Sequence, residues 1–213
     1  MSKLAEKKKE AVAKPTAGPQ LTITPADIEI PRLNVVQKMS QIEGPVGGVV
    51  IDRKAVLIDK DETCAALVVN ATKGWRENIP FGSEEMPRIA MTESQKESIE
   101  GDSSWGEMLP FSDVTLLFPQ PDGSDDDGYP YPIGDASYAL GKINVAKDGY
   151  RCTYKRLCTF QMFNHDLPLC AKVWTFAAEL ITKGSHSWFI PTLTATKEDA
   201  PAAARKFIER ITG

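Results

Sequence analysis

LNVVQKMSQIEGPVGGVVIDRKAVLIDKDETCAALVV, residues 33–69, decides the fold class. Four apolar runs stand in it: LNVV at 33–36, GVVI at 48–51, AVLI at 55–58 and AALVV at 65–69. Each is rich in branched residues and too short for an independent helix, so each reads as a strand. The punctuation between them is glycine, proline or charge, EGPVGG at 43–48, DRK at 52–54 and DKDET at 59–63, the residue types that turn a chain between strands. One strand about every ten residues predicts an antiparallel sandwich or small barrel.

Toward the N-terminus the pattern vanishes. Residues 1–20 hold five lysines and two glutamates among Ala, Pro and Gly with no apolar periodicity, the composition of a flexible basic tail. Residues 21–213 are expected to form a single domain. Within it, residues 80–135 are Pro- and Gly-rich and carry thirteen acids against two basic residues. TLLF at 115–118 is the one clear strand there, ESQKESI at 93–99 a short helix, and PDGSDDDG at 121–128 a turn or loop. The expectation is a long acidic insertion over the sheet.

Residues 136–191 reverse the charge, with seven Lys or Arg against three acids, interleaved with aromatic rings. GYRCTYKRLCTFQMF at 149–163 alternates as a strand would. Its expected core face carries Tyr150, Cys152, Tyr154, Arg156, Cys158, Phe160 and Met162, and its polar face Arg151, Thr153, Lys155, Leu157, Thr159, Gln161 and Phe163. LCAKVWTFAAELI at 169–181 suits either a strand or a helix, and SWFIPTLTAT at 187–196 is a strand. The C-terminus reads as a helix, with Asp199 placed to cap it, Pro201 in its first turn, and Phe207 and Ile211 on one face.

Several chemistries are disfavoured. The chain has no GxxxxGK[ST], no GxGxxG between strand and helix, and no HExxH, and its two histidines leave few general bases. Ser185-His186-Ser187 is adjacency rather than triad geometry. Cys152, Cys158, His165 and Cys170 lack the close spacing of zinc ligands, and DGSDDDG lacks the terminal Glu of a calcium loop, so no metal and no cofactor are expected. No apolar run reaches the roughly 18–20 residues of a membrane helix, and the lysines at the N-terminus precede no apolar signal core. The expectation is a non-enzymatic protein that stays in the cytoplasm, with its cysteines as thiols.

Binding chemistry is better represented. A single strand of DNA needs cations along its phosphates and flat side chains for its bases. Lys73-Gly74-Trp75-Arg76 offers both in four residues, the glycine letting the ring stand clear of the backbone. Arg151, Tyr154, Lys155, Arg156, Lys172 and Trp188 extend the set. Trp174 and Phe160 read better as core.

IEIPRLNVVQKMSQIEGPVGGVVID at 28–52, WRENIPF at 75–81 and GSHSWFIPTL at 184–193 together resemble motifs of phage single-stranded DNA-binding proteins of the OB fold. The resemblance touches about a third of the chain. It implies an OB-like small barrel that binds single-stranded DNA in phage replication or recombination, in the host cytoplasm, with replication or recombination proteins as further partners. Such proteins often end in an acidic tail, whereas this chain ends in FIERITG. The competing expectation is a phage virion or assembly protein whose barrel makes subunit contacts. Sequence leaves self-association into a homo-oligomer open.

Overall fold

The structure, a computed structural model, describes residues 29–80, 82–121 and 128–212. The expected basic tail and the centre of the DGSDDDG loop lie outside these residues. Among the described residues, ten strands and four α-helices follow the predicted mainly β character.

The opening runs form a three-stranded antiparallel sheet, β1 (Leu33–Val35), β2 (Val49–Ile51) and β3 (Ala55–Ile58). The rest build a larger antiparallel sheet from β4 (Thr63–Arg76), β5 (Ile89–Ala90), β6 (Leu109–Pro119), β7 (Tyr131–Ile133), β8 (Ala136–Ala146), β9 (Lys172–Lys183) and β10 (His186–Asp199). Its order is β10-β9-β4-β6-β8-β7, with β5 beside β4. The expected barrel is therefore corrected to an open sheet: among the described residues no ladder joins β7 to β10. The reason lies in β4. Its first residues, Thr63–Ala66, pair with β9 and its remainder, from Leu67, with β6, and the β6 ladder carries an irregularity between Val68 and Asn70 just after the change. One long strand thus joins two hairpin systems side by side.

The stretch expected as an insertion contributes a central element. β6 lies between β4 and β8, and Val114, Leu116, Leu117 and Phe118 are buried on it. TLLF at 115–118, the strand expected there, lies within it; its central place in the sheet is what the acidic surroundings concealed. The excursion from β4 to β6 holds α1 (Glu93–Asp102), where a helix was expected. Thr92 accepts the Gln95 N–H at 3.2 Å and Gln95 Oε1 accepts the Met91 N–H at 2.9 Å, a reciprocal cap. Glu77, buried at the base of the excursion, accepts from Arg88 Nε, Nη2 and N and from Ser103 Oγ, all within 3.0 Å. These bonds, led by the Arg88 side chain, draw its carboxyl down to about 2.

Residues 149–163 are not a strand. They fall in α2 (Lys147–Cys152) and α3 (Tyr154–Phe163). Tyr150, Thr153 and Leu157 are buried and Phe160 half-buried, at spacings of three and four, so a helical stripe ran through the alternation. Leu157, expected on the polar face, is in the core, while Met162, expected inside, is 68% exposed. Thr153 separates the two helices, its hydroxyl donating to Gly149 O at 2.6 Å.

Alternation along the large sheet gives two cores. On one face Val68, Leu116, Ile143, Trp174, Phe176 and Leu193 meet Leu33, Val49 and Ile58 of the small sheet and Leu157 of α3. Trp174 donates Nε1–H to Leu169 O at 3.0 Å and takes the edge of Phe160 at 5.1 Å between centroids, the core roles expected of both rings. On the other face Leu67, Leu117 and Leu140 meet Ala204 and Ile208 of α4 (Ala202–Thr212). Phe207 and Ile211 flank that contact and line an apolar cleft with Ile30, Val69 and Tyr131. Asp199 does not cap α4: it ends β10 with its carboxylate on Lys172 Nζ at 2.6 Å, and the Pro201 carbonyl receives the Arg205 N–H.

The small sheet is tied to the large one at two places. Lys142 N–H of β8 donates to Pro31 O at 2.8 Å, beside a parallel bridge from Arg32 to Lys142. Gln37 clasps β10, donating Nε2–H to Phe189 O at 2.7 Å and accepting the Phe189 N–H at 2.9 Å. Gly47, at φ +91°, lies where a Cβ would stand 2.6 Å from the Phe189 ring, so only glycine allows this approach.

Candidate nucleic-acid interface

β8 runs directly into α2, and a left-handed backbone at Lys147, φ +51°, makes the turn. Asp148 in the first turn of α2 then becomes an organiser of cations. Its carboxylate accepts two 2.8 Å bonds from Lys183 Nζ and stands 3.7 Å from Arg151 Nη2. Lys183 ends β9. The two-residue turn Gly184-Ser185, with Gly184 at φ +60°, folds β10 back so that Trp188 lies diagonal to Lys183 on the same face. The Lys183 ammonium sits 5.7 Å from the Trp188 ring centroid, within cation–π range. Lys38 Nζ reaches Ser187 Oγ at 3.3 Å.

On the other side of α2, Lys147 and Arg76 line one hollow of about 270 Å³. Glu77 in its wall is bound by Arg88, and Glu85 accepts the Trp105 indole N–H at 3.0 Å. A rim of cations, Arg76, Lys147, Arg151, Lys183 and Lys38, thus passes around α2 to the half-buried Trp188. Such an arrangement attracts phosphates and offers a ring for a base.

The residues expected to bind are only partly gathered here. Arg76, Arg151 and Trp188 belong to the rim. Trp75 does not serve as an open platform: it is 7% exposed, in a satellite core with Ala90, Met108 and Ile99. Gly74 does not free that ring either, since Phe111 and the Met91 sulfur occupy the space beside its Cα. Lys73 lies 4.2 Å from the Trp75 centroid and 3.8 Å from Glu93, so its charge is shared within that corner. Tyr154 stacks on Tyr150 at 5.1 Å, which leaves one ring face at most for a ligand. Burial first, then neighbouring Tyr154 and Cys158, pushes Tyr150 up to about 12, and burial also raises Tyr154, so both phenols stay neutral.

Lys155 is exposed on α3. Arg156 bonds Leu193 O at 3.2 Å and Thr194 Oγ1 at 3.0 Å, blocking part of the β10 edge. Lys172 is held by Asp199 and the Lys197 carbonyl. Both read as fastenings of the fold. Cys152, Cys158, His165 and Cys170 do not converge: among the described residues no group of three or more His, Cys, Asp or Glu side chains could hold a metal.

Lys147, Lys183 and Lys38 were not singled out from sequence. For Lys183 a signal was available, because a two-residue Gly-Ser turn fixes its diagonal relation to Trp188. For Lys38 and Lys147 none was, since each reaches the rim through tertiary contacts. Among the described residues no helix is long and apolar enough to cross a membrane. Compared with known proteins, the chain matches no family model, no curated protein and no solved structure.

Proposed function

We infer that the protein binds single-stranded DNA along the α2 rim without reading base sequence, and performs no catalysis. One observation carries this reading: Asp148 pairs with both Arg151 and Lys183, and Lys183 stands against the Trp188 ring. Two cations fixed by one carboxylate lose less side-chain freedom on meeting a phosphate than free lysines would. The adjoining Arg76 and Lys147 extend the track beyond a single nucleotide. The biological setting proposed is phage DNA replication or recombination, with proteins of those processes as partners.

Fluorescence titration with oligo-dT at several salt concentrations tests it. Log affinity falls linearly with log salt, by about 0.7 per phosphate neutralised. Replacing Lys183 and Arg151 by Ala lowers that slope by about 1.4. A flat salt response, or equal affinity for duplex, would overturn the reading.

The end of α3 favours a second reading, a virion or assembly protein. Met162 is 68% and Phe163 75% exposed, with Leu167 partly exposed nearby in the chain. Such a face suits subunit contacts. Light scattering distinguishes the two, since self-assembly independent of DNA and abolished by Phe163→Ser belongs to the second reading alone.

A further inference from the structure

On the sheet face left open beside α4, where β1 meets β8, lies a hollow of about 390 Å³ that shares no residue with the rim. Arg32 and Lys142 line it, and both also line an adjoining hollow of about 370 Å³. Among the described residues, neither side chain has an ion-pair or hydrogen-bond partner. Their backbones are joined by the Arg32–Lys142 bridge just before β1, so the two charges are presented from a fixed junction. Asn34 and Asn144 place amides in the same walls. The remaining wall is apolar, built by Phe111, Met91 and Ile89, the last two more than half exposed. Asp113 is the single acid lining this hollow, and it accepts Asn144 Nδ2–H at 2.7 Å.

We propose that this hollow binds a nucleotide, its phosphate on Arg32 and Lys142 and its base against the Met91–Phe111 wall. Two unpaired cations suit the dianion of a phosphate monoester. Asn34, Asn144 and Asp113 supply the donors and the acceptor that a base edge pairs with. An apolar wall beside a few convergent polar groups is the usual make-up of a small-ligand site. The site stands independently of the rim and has two sources of ligand, a free nucleotide or the 5′-phosphorylated end of a strand.

The test uses the full chain. Calorimetric titration with thymidine 5′-monophosphate, with thymidine as the phosphate-free control, examines the free nucleotide. Anisotropy of one oligo-dT with and without a 5′-phosphate examines the strand end. The expected result is saturable binding in at least one arm, requiring the phosphate and weakened at least about tenfold in Arg32→Gln/Lys142→Gln. That variant leaves the backbone bridge intact and melts as the parent does. In the unaltered protein, the side-chain amide resonances of Asn34 and Asn144 shift with added thymidine 5′-monophosphate or 5′-phosphorylated oligo-dT. Absence of phosphate-dependent binding in both arms, or binding that the double variant retains, overturns the proposal. Loss of rim binding in Lys183→Ala/Arg151→Ala, with the nucleotide effect retained, separates the two sites.

Discussion

Trp75→Ala and Trp188→Ala are expected to fail in opposite ways. Trp75 lies in a satellite core with Ala90 and Met108, at 7% exposure, and its ring also carries the Lys73 ammonium at 4.2 Å. Truncating a buried tryptophan typically costs about 3–5 kcal/mol, from lost transfer free energy and the cavity left behind. For a domain of this size each kcal/mol lowers Tm by about 2–4 °C, so Trp75→Ala should melt about 6–20 °C lower. Its oligo-dT affinity, measured well below the new Tm, should match that of the parent. Trp188 is half-buried at the turn of β9 and β10 with a cation against it. Its truncation should weaken oligo-dT binding by about 1–3 kcal/mol and move Tm much less. Thermal melting by near-ultraviolet circular dichroism and titration on the same preparations read both quantities. A Trp75→Ala protein that melts within about 2 °C of the parent yet binds weakly would refute the placement of that ring in the core.

Three further outcomes follow from individual contacts. Glu77 has its carboxyl lowered from 4.5 to about 2 by Arg88 and Ser103, so its stabilisation is present above pH 4.5 and is lost as pH falls from there toward 2. Glu77→Gln should flatten the acid limb of a Tm-versus-pH curve in that window, and an unchanged limb would count against the clasp. Gln37→Leu removes both bonds to the Phe189 backbone and should cost about 1–3 kcal/mol in urea unfolding; unchanged stability would show the clasp to be idle. Burial pushes the Cys64 thiol up to about 12 while Cys158 is exposed, so a thiol reagent at pH 8 should label Cys158 promptly and the partly buried Cys64 far more slowly until the protein unfolds. Rapid labelling of Cys64 in the native protein would contradict this.

Strands whose information is local were legible in the sequence. β1, β2, β3 and the start of β4 appear as short branched runs between turn residues, and the Thr92–Gln95 helix start lies within one turn of chain. Three features were decided at longer range. The TLLF run of β6 reads as a strand, but its place between β4 and β8 at the centre of the sheet does not. The residues from Tyr150 to Phe160 satisfy periods of two and of 3.6 at once, and burial of Leu157 beneath the sheet selects the helix. Barrel closure depends on whether the last strands pair, which depends on the register of β4 against two partners rather than on any single run.

The candidate site was legible in composition and not in arrangement. The basic aromatic block does hold Arg151, Lys183 and Trp188, because α2 and the β9–β10 hairpin bring residues 35 apart to one carboxylate. What the block does not reveal is which cations are already engaged. Arg156 is taken by a strand edge and Lys172 by Asp199, and charge in sequence carries no mark of either. Lys142, from the same block, and Arg32, from the motif at 28–52, are by contrast unpaired among the described residues, and a parallel bridge joins their backbones. A cation becomes available to a ligand in one of two ways: the fold leaves its side chain without a partner, as at Arg32 and Lys142 among the described residues, or one carboxylate is shared between two cations, as Asp148 is between Lys183 and Arg151. Either condition, rather than local density of lysine and arginine, separates these four cations from Arg156 and Lys172, which are fastened to the fold.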